Sequence, residues 1–277
     1  MSDVPPVEFK DVHVAFGSNQ VFAGLNLQVR QGEILTLLGG SGCGKSVLLK
    51  LILGLVPWQR GQVIAFGTPI TPNDDAAMLA VRRSVGMVFQ WGALFDSLDV
   101  FDNIAYPLRE RGIRDPRVLA ERVATVLDHV GLSGIERRMP AELSGGMRKR
   151  VALARAVAEE PKVLLYDEPT TGLDPLNVRR ISELIVTLRS RLNVTSIVVT
   201  HDLPSACMIS DRIAMVAERR MIAVDSPERM RNSTQKNVRD FFEAMPLAAE
   251  TGLFRPLPQH GDALLSQGEH LTENAGE

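Results

Sequence analysis

The chain has 277 residues, of which 45% are hydrophobic and 23% charged, so it is long and apolar enough for one large globular domain. Its net charge of −2, without a long basic run, argues against nucleic-acid binding as the main function. The two cysteines, Cys43 and Cys207, form no metal-ligand cluster and fit a reducing cytosol, and we expect neither a signal peptide nor a membrane span.

The predicted elements alternate between strands and helices along most of the chain. Apolar and polar residues alternate over 7–16 and 25–29, which predicts antiparallel β-structure. Ile34–Leu38 predicts a buried strand that leads into a glycine-rich turn and then a helix over about 44–53. Further strands are predicted at 87–89, 163–166, 197–199 and 213–216, and helices at 117–130, 145–159 and 176–191. This alternation predicts a mostly parallel sheet covered on both faces.

Two regions depart from this pattern. Residues 91–159 are mostly helical in pattern and have no clear core strand, so we predict a helical subdomain inserted into the α/β core. After Pro246 the pattern fades into proline, glycine and polar residues. We therefore predict a domain over 5–245, with the helical subdomain at about 91–159, and a tail over 246–277 with little core of its own.

A phosphate-binding loop is the clearest motif. Residues 39–46 fit G-x-x-x-x-G-K-[ST] at every fixed position and lie between a predicted strand and a predicted helix. Backbone N–H groups of such a loop converge on phosphate oxygens, and the helix N-terminus adds its positive dipole end. Lys45 is predicted to reach the β- and γ-phosphates, and the Ser46 hydroxyl to ligate Mg²⁺. The strand–loop–helix context disfavours a glycine-rich turn without function. Alkylation of the Cys43 thiol would obstruct the nucleotide.

Two further motifs complement this loop. The predicted strand Val163–Tyr166 ends in Asp167, placed to hold Mg²⁺, and Glu168, the candidate general base. A pair of acids that only caps a strand is the alternative, which the upstream loop makes improbable. Residues 143–147 form a serine–glycine–glycine turn before a helix, a second phosphate-binding surface. Most such turns are ordinary N-caps. Because one chain has one γ-phosphate to bind, the second surface suggests that two chains share each nucleotide.

Together, residues 39–46, Gln90, Leu143–Gly146, Asp167-Glu168 and His201 resemble the ABC (ATP-binding cassette) ATPases, in the family's order and at about its spacings. The resemblance covers roughly residues 5–245. It implies a P-loop, RecA-like parallel-sheet core with an N-terminal antiparallel β-subdomain and an inserted helical subdomain. It also implies a homodimer that sandwiches ATP and Mg²⁺ between its subunits and powers an integral membrane permease.

The resemblance also implies the site residues. Catalytic roles fall on Glu168, His201, Lys45 and Gln90, and Mg²⁺ contacts on Ser46, Gln90 and Asp167. The implied ATP site comprises Phe16, Gly39, Gly40, Ser41, Gly42, Cys43, Gly44, Lys45, Ser46, Val47, Gln90, Ser144, Gly145, Gly146, Asp167 and Asp174. Phe16 takes the place of an aromatic that stacks on adenine, with a core strand residue as the alternative. Asp174 resembles the dimer-contact loop that follows the base.

One branch of the family fits best. The signature has Met147 where most members have Gln, and with 92–98 and 100–108 this resembles the ATPases of the Mla/Mce phospholipid transporters. Residues 238–242 resemble the start of that branch's C-terminal extension, which reaches across the dimer. The branch implies a location at the cytoplasmic face of the inner membrane. Its implied partners are a permease, an Mce-domain lipid-binding protein and, in some systems, a small regulatory subunit.

Alternatives remain at two levels. Trp91, Leu94 and Phe95 either face the permease or belong to the core of the helical subdomain. For the whole chain, the alternatives are an ABC transporter ATPase for another substrate, a soluble ABC ATPase of DNA repair or translation, and another P-loop enzyme. The chain lacks a long coiled-coil insertion and a second cassette, which disfavours the soluble ABC class. The serine–glycine–glycine turn and His201 have no role in a kinase or GTPase.

Overall fold

Two β-sheets and a group of helices make up the described part of the protein. The computed structural model describes residues 4–72 and 74–244, so the predicted tail at 246–277 lies outside the described residues. In chain order the elements are β1 (Val7–Phe16), β2 (Asn19–Val29), β3 (Ile34–Leu38), α1 (Lys45–Ile52), β4 (Arg60–Ala65), β5 (Thr68–Pro69), α2 (Asp75–Arg83), β6 (Val85–Val88), α3 (Val100–Glu110), α4 (Pro116–His129), α5 (Gly145–Val157), β7 (Val163–Asp167), α6 (Pro175–Leu192), β8 (Thr195–Val199), α7 (Leu203–Ile209), β9 (Arg212–Ala217), β10 (Arg220–Asp225), α8 (Pro227–Arg231) and α9 (Lys236–Ala244).

The larger sheet has six strands in the order β10-β9-β3-β8-β7-β6. All its neighbouring strands run parallel except β9 and β10, which pair antiparallel at one edge. β3 and β8 are buried along their whole length, as central strands of a sheet covered on both faces must be. The mostly parallel sheet predicted from sequence is confirmed. Because β3, β7 and β8 are parallel neighbours, the segments that follow them meet at one edge of the sheet.

The smaller sheet is antiparallel, with the order β2-β1-β4-β5. In β1 the residues Val7, Phe9, Val12 and Val14 are buried, so the alternation seen in the sequence places one face on the core. This confirms the N-terminal antiparallel β-structure. Strands β4 and β5 complete this sheet and have no counterpart among the predicted elements.

Helices α3, α4 and α5 lie within the region predicted to be a helical subdomain. Their apolar faces join one buried cluster with residues of the larger sheet, including Ile104, Val126 and Leu153 beside Val88 and Tyr166. The helices therefore pack directly on the strands that lead into the candidate site. The exact domain limits, 5–245 and about 91–159, stay a prediction.

The C-terminal part of the described chain packs on the other end of the larger sheet. Val238 and Phe242 of α9 are buried against Leu38 of β3 and Met230 of α8. The sequence analysis had not assigned these two short helices. No helix in residues 4–72 or 74–244 is long and apolar enough to cross a membrane.

Candidate nucleotide site

The loop between β3 and α1 has a backbone that requires glycine at Gly44. This residue is the N-cap of α1 and has a φ of 101°, which L side chains rarely adopt. A Cβ at this position would lie 2.6 Å from Val21 Cγ1 and 2.9 Å from Phe22 Cζ. The packing of β2 against the loop therefore fixes the path of the chain as it enters the helix.

Gly44→Ala should both destabilise the fold and weaken ATP binding, because the new Cβ meets β2 in a conformation that disfavours it. We expect a loss of about 2 kcal/mol or more in the free energy of unfolding, given the left-handed backbone and the close contact. Urea unfolding and ATP titration measure the two effects. Gly112→Ala is a control at a positive φ of 90° with no atom near its Cβ, and equal losses in both variants would refute the packing explanation.

Lys45 is held across the loop that precedes it. It is 7% exposed, and its Nζ donates hydrogen bonds to the carbonyls of Gly39 at 2.7 Å and Gly40 at 3.0 Å. An ammonium group has three donors, so both bonds leave capacity for a further acceptor. The ammonium charge is thus held beside the loop, where it can bind a phosphate.

Ser46 and Asp167 bring two oxygen groups together. The Ser46 hydroxyl donates to Asp167 Oδ1 at 2.8 Å, which joins α1 to the end of β7. Among the described residues no cluster of three or more His, Cys, Asp or Glu side chains can hold a metal. One hydroxyl and one carboxylate instead fit Mg²⁺, which takes few protein ligands and completes its shell with phosphate oxygens and water.

Glu168 and His201 form a pair at the ends of β7 and β8. His201 Nδ1 lies 2.9 Å from the Glu168 carboxylate, which Thr171 Oγ1 and Thr200 Oγ1 approach at 3.3 and 3.4 Å. Glu168 has a positive φ of 50°, and its backbone N–H donates to the carbonyl of Val199. This uncommon backbone conformation turns the side chain out of the strand direction. The carboxylate is thereby oriented from several sides.

These groups line one open cleft of about 430 Å³. Its lining comprises Ser41, Gly42, Gly44, Lys45, Ser46, Val47, Gln90, Asp167, Glu168 and His201. Gly39, Gly40 and Cys43 belong to the same loop but do not line the cleft. The structure thus brings together most of the residues that the sequence analysis had placed in one site, with Gln90 arriving from the end of β6.

Ser144, Gly145, Gly146 and Asp174 lie apart from this cleft and close to one another. The Ser144 hydroxyl accepts from the backbone of Met147 and caps α5, while Asp174 caps α6 by accepting from Asn177 N at 3.0 Å. A Cβ on Gly146 would lie 2.9 Å from Asn177 Oδ1, so the two helix N-termini are in contact. Hydrogen bonds from Asn177 lower the pKa of the Asp174 carboxyl. Together they form a second polar surface, on which Ser144, Gly145 and Asp174 are exposed while Gly146 is buried.

For four aromatic or apolar residues the sequence analysis allowed two environments, and the structure distinguishes them. Phe16 is 47% exposed at the end of β1, so it is not a core residue, although it does not line the cleft. Trp91, at 75%, and Phe95 are also exposed, whereas Leu94 packs on the buried cluster of the helices. Leu94 is thus partly buried against the core, and Trp91 and Phe95 are available for contact with a partner.

Sequence reasoning missed one group beside the site. Lys149 of α5 is buried, and its Nζ donates to the carbonyl of Gln90. Burial lowers the pKa of this ammonium group, while the Glu168 carboxylate acts to raise it. A signal was present, because Lys149 falls on the helix face that also carries the buried residues Leu153 and Val157.

Known proteins resemble this chain in sequence. The family model for ABC transporters matches residues 22–171. The intermembrane phospholipid transport system ATP-binding protein MlaF of Escherichia coli K12 is 38% identical over 239 residues, covering 86% of this chain and 89% of the relative. MlaF of Haemophilus influenzae is 39% identical, covering 86% and 90%. A probable ribonucleotide transport ATP-binding protein of Mycobacterium leprae, mkl, is 37% identical, covering 85% and 68%.

Solved structures share the fold. One is a Clostridium perfringens protein that is part of the ABC transporter complex cbiONQ, with a TM-score of 0.77 and 27% identity over 90% of this chain and 99% of that one. Another is an ATP-binding cassette in a dimeric, post-hydrolysis state with ADP and Pi, with a TM-score of 0.71 and 30% identity over 80% and 98%. From its motifs, its fold and these relatives, the chain is an ATP-hydrolysing subunit and belongs to the ABC transporter family.

Proposed function

We propose that this subunit hydrolyses Mg·ATP in the cleft formed by residues 41–47, Gln90, Asp167, Glu168 and His201, and that it powers phospholipid transport between membranes. The observation that carries the proposal is the convergence of Lys45, the Ser46–Asp167 pair and the Glu168–His201 pair at one sheet edge. Phosphoryl transfer needs this set: a cation for the phosphates, oxygen ligands for a metal, and a base for water.

Each residue then has a defined role. Lys45 binds the β- and γ-phosphates, and Ser46, Asp167 and Gln90 would hold Mg²⁺, which would neutralise phosphate charge. Glu168 accepts a proton from the attacking water, and His201, within hydrogen-bonding distance of Glu168, orients it and contacts the γ-phosphate. Most of the rate gain comes from holding the attacking water in line with the leaving group and from stabilising the charge of the transition state. Phe16 is assigned to stacking on adenine because its exposed ring is free to do so.

The second polar surface supports a dimer. Ser144, Gly145 and Gly146 form the N-terminus of α5 outside the cleft of their own chain, so we assign them to the γ-phosphate bound by a second copy. Asp174, which lies against the same surface, then contacts the partner loop. Closure of this dimer around two ATP molecules supplies the differential binding energy that switches a permease between two states.

A groove on the helical side suits the membrane partner. It measures about 490 Å³, and its lining includes Phe89, Phe95, Tyr106, Pro107 and Arg155. The rings of Phe95 and Tyr106 are in contact there, tilted by 50° at a centroid distance of 4.9 Å, and both stay substantially exposed. An apolar groove with an aromatic floor fits an amphipathic helix of a permease on the cytoplasmic side of the inner membrane.

Phospholipid as the substrate rests on the branch resemblance and on the two MlaF relatives. The branch resemblance alone assigns an Mce-domain protein, and in some systems a small regulatory subunit, as further partners. The mycobacterial relative is named for ribonucleotide transport at a similar identity, which favours nucleotides as the second candidate substrate. The permease and its partners choose the substrate, so the test must examine the assembled complex.

Purification of tagged, full-length Glu168→Gln protein with ATP from detergent-solubilised native membranes tests the proposal. We expect mass spectrometry to find a multi-span permease, an Mce-domain protein and bound phospholipid. A permease with a ribonucleotide-binding or other substrate-binding protein would refute the lipid assignment alone. A preparation that contains nucleic acid or ribosomes without a permease would refute the transport function. Untagged protein carried through the same steps controls for lipid that co-purifies with detergent micelles.

A further inference from the structure

Two cationic side chains of helix α5, Lys149 and Arg155, form hydrogen bonds to the backbone of residues 90–93. Lys149 Nζ donates to the carbonyl of Gln90. Arg155 Nη2 donates to the carbonyl of Gly92 at 2.8 Å, and Nη1 to that of Ala93 at 2.7 Å. Charged donors make the stronger kind of hydrogen bond to a neutral carbonyl. Residues 90–93 are thus bound to α5 through their backbone carbonyls, independently of what their own side chains contact.

Packing reinforces these bonds. A Cβ on Gly92 would lie 3.5 Å from Ala152 Cβ and 3.7 Å from the carbonyl of Arg148, so the segment lies directly on the helix surface. The Arg155 guanidinium also lies 5.9 Å from the centroid of the Phe95 ring. The contacts extend over residues 148–155, which is about two turns of helix. A segment held along this length moves with the helix.

Lys149 carries a buried charge. The residue is 6% exposed, and among the described residues the Gln90 carbonyl is its hydrogen-bond partner. A buried ammonium group pays a desolvation cost that a methionine of similar length would avoid. This cost is offset by the hydrogen bond to the Gln90 carbonyl, which a methionine could not form.

We propose that Lys149, together with Arg155, is a positioning residue that makes Gln90 move as one body with α5. The N-terminus of α5 carries Ser144, Gly145 and Gly146. The inference rests on the proposed function, in which Gln90 reads the γ-phosphate of its own chain and the α5 N-terminus binds that of the partner. One rigid body then contacts both nucleotides of the dimer, and each site responds to the occupancy of the other.

Trp91 provides a readout that a purely structural role would not change. The chain has two tryptophans, so Trp58→Phe leaves Trp91, next to Gln90, as the only indole. The test uses the full-length chain with this change and compares Lys149→Met with Arg150→Met. Arg150 is the matched control because it lies on the same helix and donates to the carbonyls of Val130 and Gly131, away from Gln90. Phosphate release, affinity for adenylyl imidodiphosphate and Trp91 emission are measured on each.

Lys149→Met should lower turnover at saturating ATP by about tenfold, leave nucleotide affinity within about twofold, and reduce the nucleotide-induced change in Trp91 emission by about half or more. Arg150→Met should stay within about twofold of the parent in all three. If Lys149→Met does not fold, Arg155→Met takes its place, with Arg155→Lys expected to restore part of the turnover through one retained donor.

Three results would overturn the inference. They are parental turnover and emission in Lys149→Met, an equal loss in Arg150→Met, and a loss of nucleotide affinity as large as the loss of turnover. A parent protein that binds no nucleotide and releases no phosphate would instead refute the proposed function, so the two failures are distinguishable.

Discussion

Glu168→Gln should bind ATP, form a stable dimer with it and lose hydrolysis by about 10²–10⁴-fold, the usual contribution of a general base. The amide fits the same space and can still accept from Thr171 and Thr200, which approach the present carboxylate at 3.3 and 3.4 Å. It cannot take a proton from water. The variant therefore removes the chemistry and keeps the binding surface. Phosphate release and size-exclusion chromatography with Mg·ATP measure the two parts.

Glu160→Gln is the matched control. Glu160 shares the left-handed backbone, with a φ of 53°, but lies on the surface beside Arg122 and outside the cleft. We expect it to retain the parental rate of hydrolysis. If Glu168→Gln hydrolysed ATP near that rate as well, the assignment of Glu168 as the base would be wrong.

Lys45→Ala should weaken ATP binding by about tenfold to 150-fold, because it removes a charge-assisted contact to phosphate, and such a contact contributes about 1.5–3 kcal/mol. The loss has a second cause. Nζ also joins the carbonyls of Gly39 and Gly40, so the loop loses an internal support when the side chain is removed. Titration with a fluorescent ATP analogue gives the affinity.

Lys50→Ala controls for the loss of a positive charge from α1. Lys50 lies on the same helix, but its side chain is exposed and outside the cleft. This variant should bind ATP as the parent does. Undiminished ATP affinity in Lys45→Ala would contradict the assignment of Lys45 to the phosphates. An equal loss of affinity in Lys50→Ala would mean that only the net charge matters.

The larger sheet could be predicted because its central strands are buried on both faces. Ile34–Leu38, apolar except at Thr36, and 197–199 are short apolar runs next to glycine or polar turns, a pattern typical of fully buried strands. Helix α2 was not predicted because its sequence supplies only Met78 and Val81 to the core, too few for a clear helical period. Its N-terminus is defined by the Asp74 cap, a feature that the sequence analysis did not use.

The residues of the candidate site could be predicted from the sequence better than the hydrogen bonds that join them. The motifs around Lys45, Asp167 and Glu168 have fixed spacings, so the sequence alone could place them together. The bond from Lys149 to Gln90 joins residues 59 positions apart, and no local pattern reports such a pairing. The positive φ of Glu168 likewise occurs together with a bond from its N–H to the carbonyl of Val199, on a strand distant in sequence, so no local pattern predicts it.

Strand β6 ends the larger sheet on the side of the apolar groove, and its residues Val85, Gly86 and Met87 form one wall of that groove. At the opposite end, β10 is covered through contacts with β2, including a hydrogen bond from Ala23 N to the carbonyl of Arg219. A sheet edge next to exposed aromatic rings favours self-association. A subunit that lacks its proposed membrane partner is therefore expected to carry an aggregation-prone surface and to be less soluble than the assembled complex.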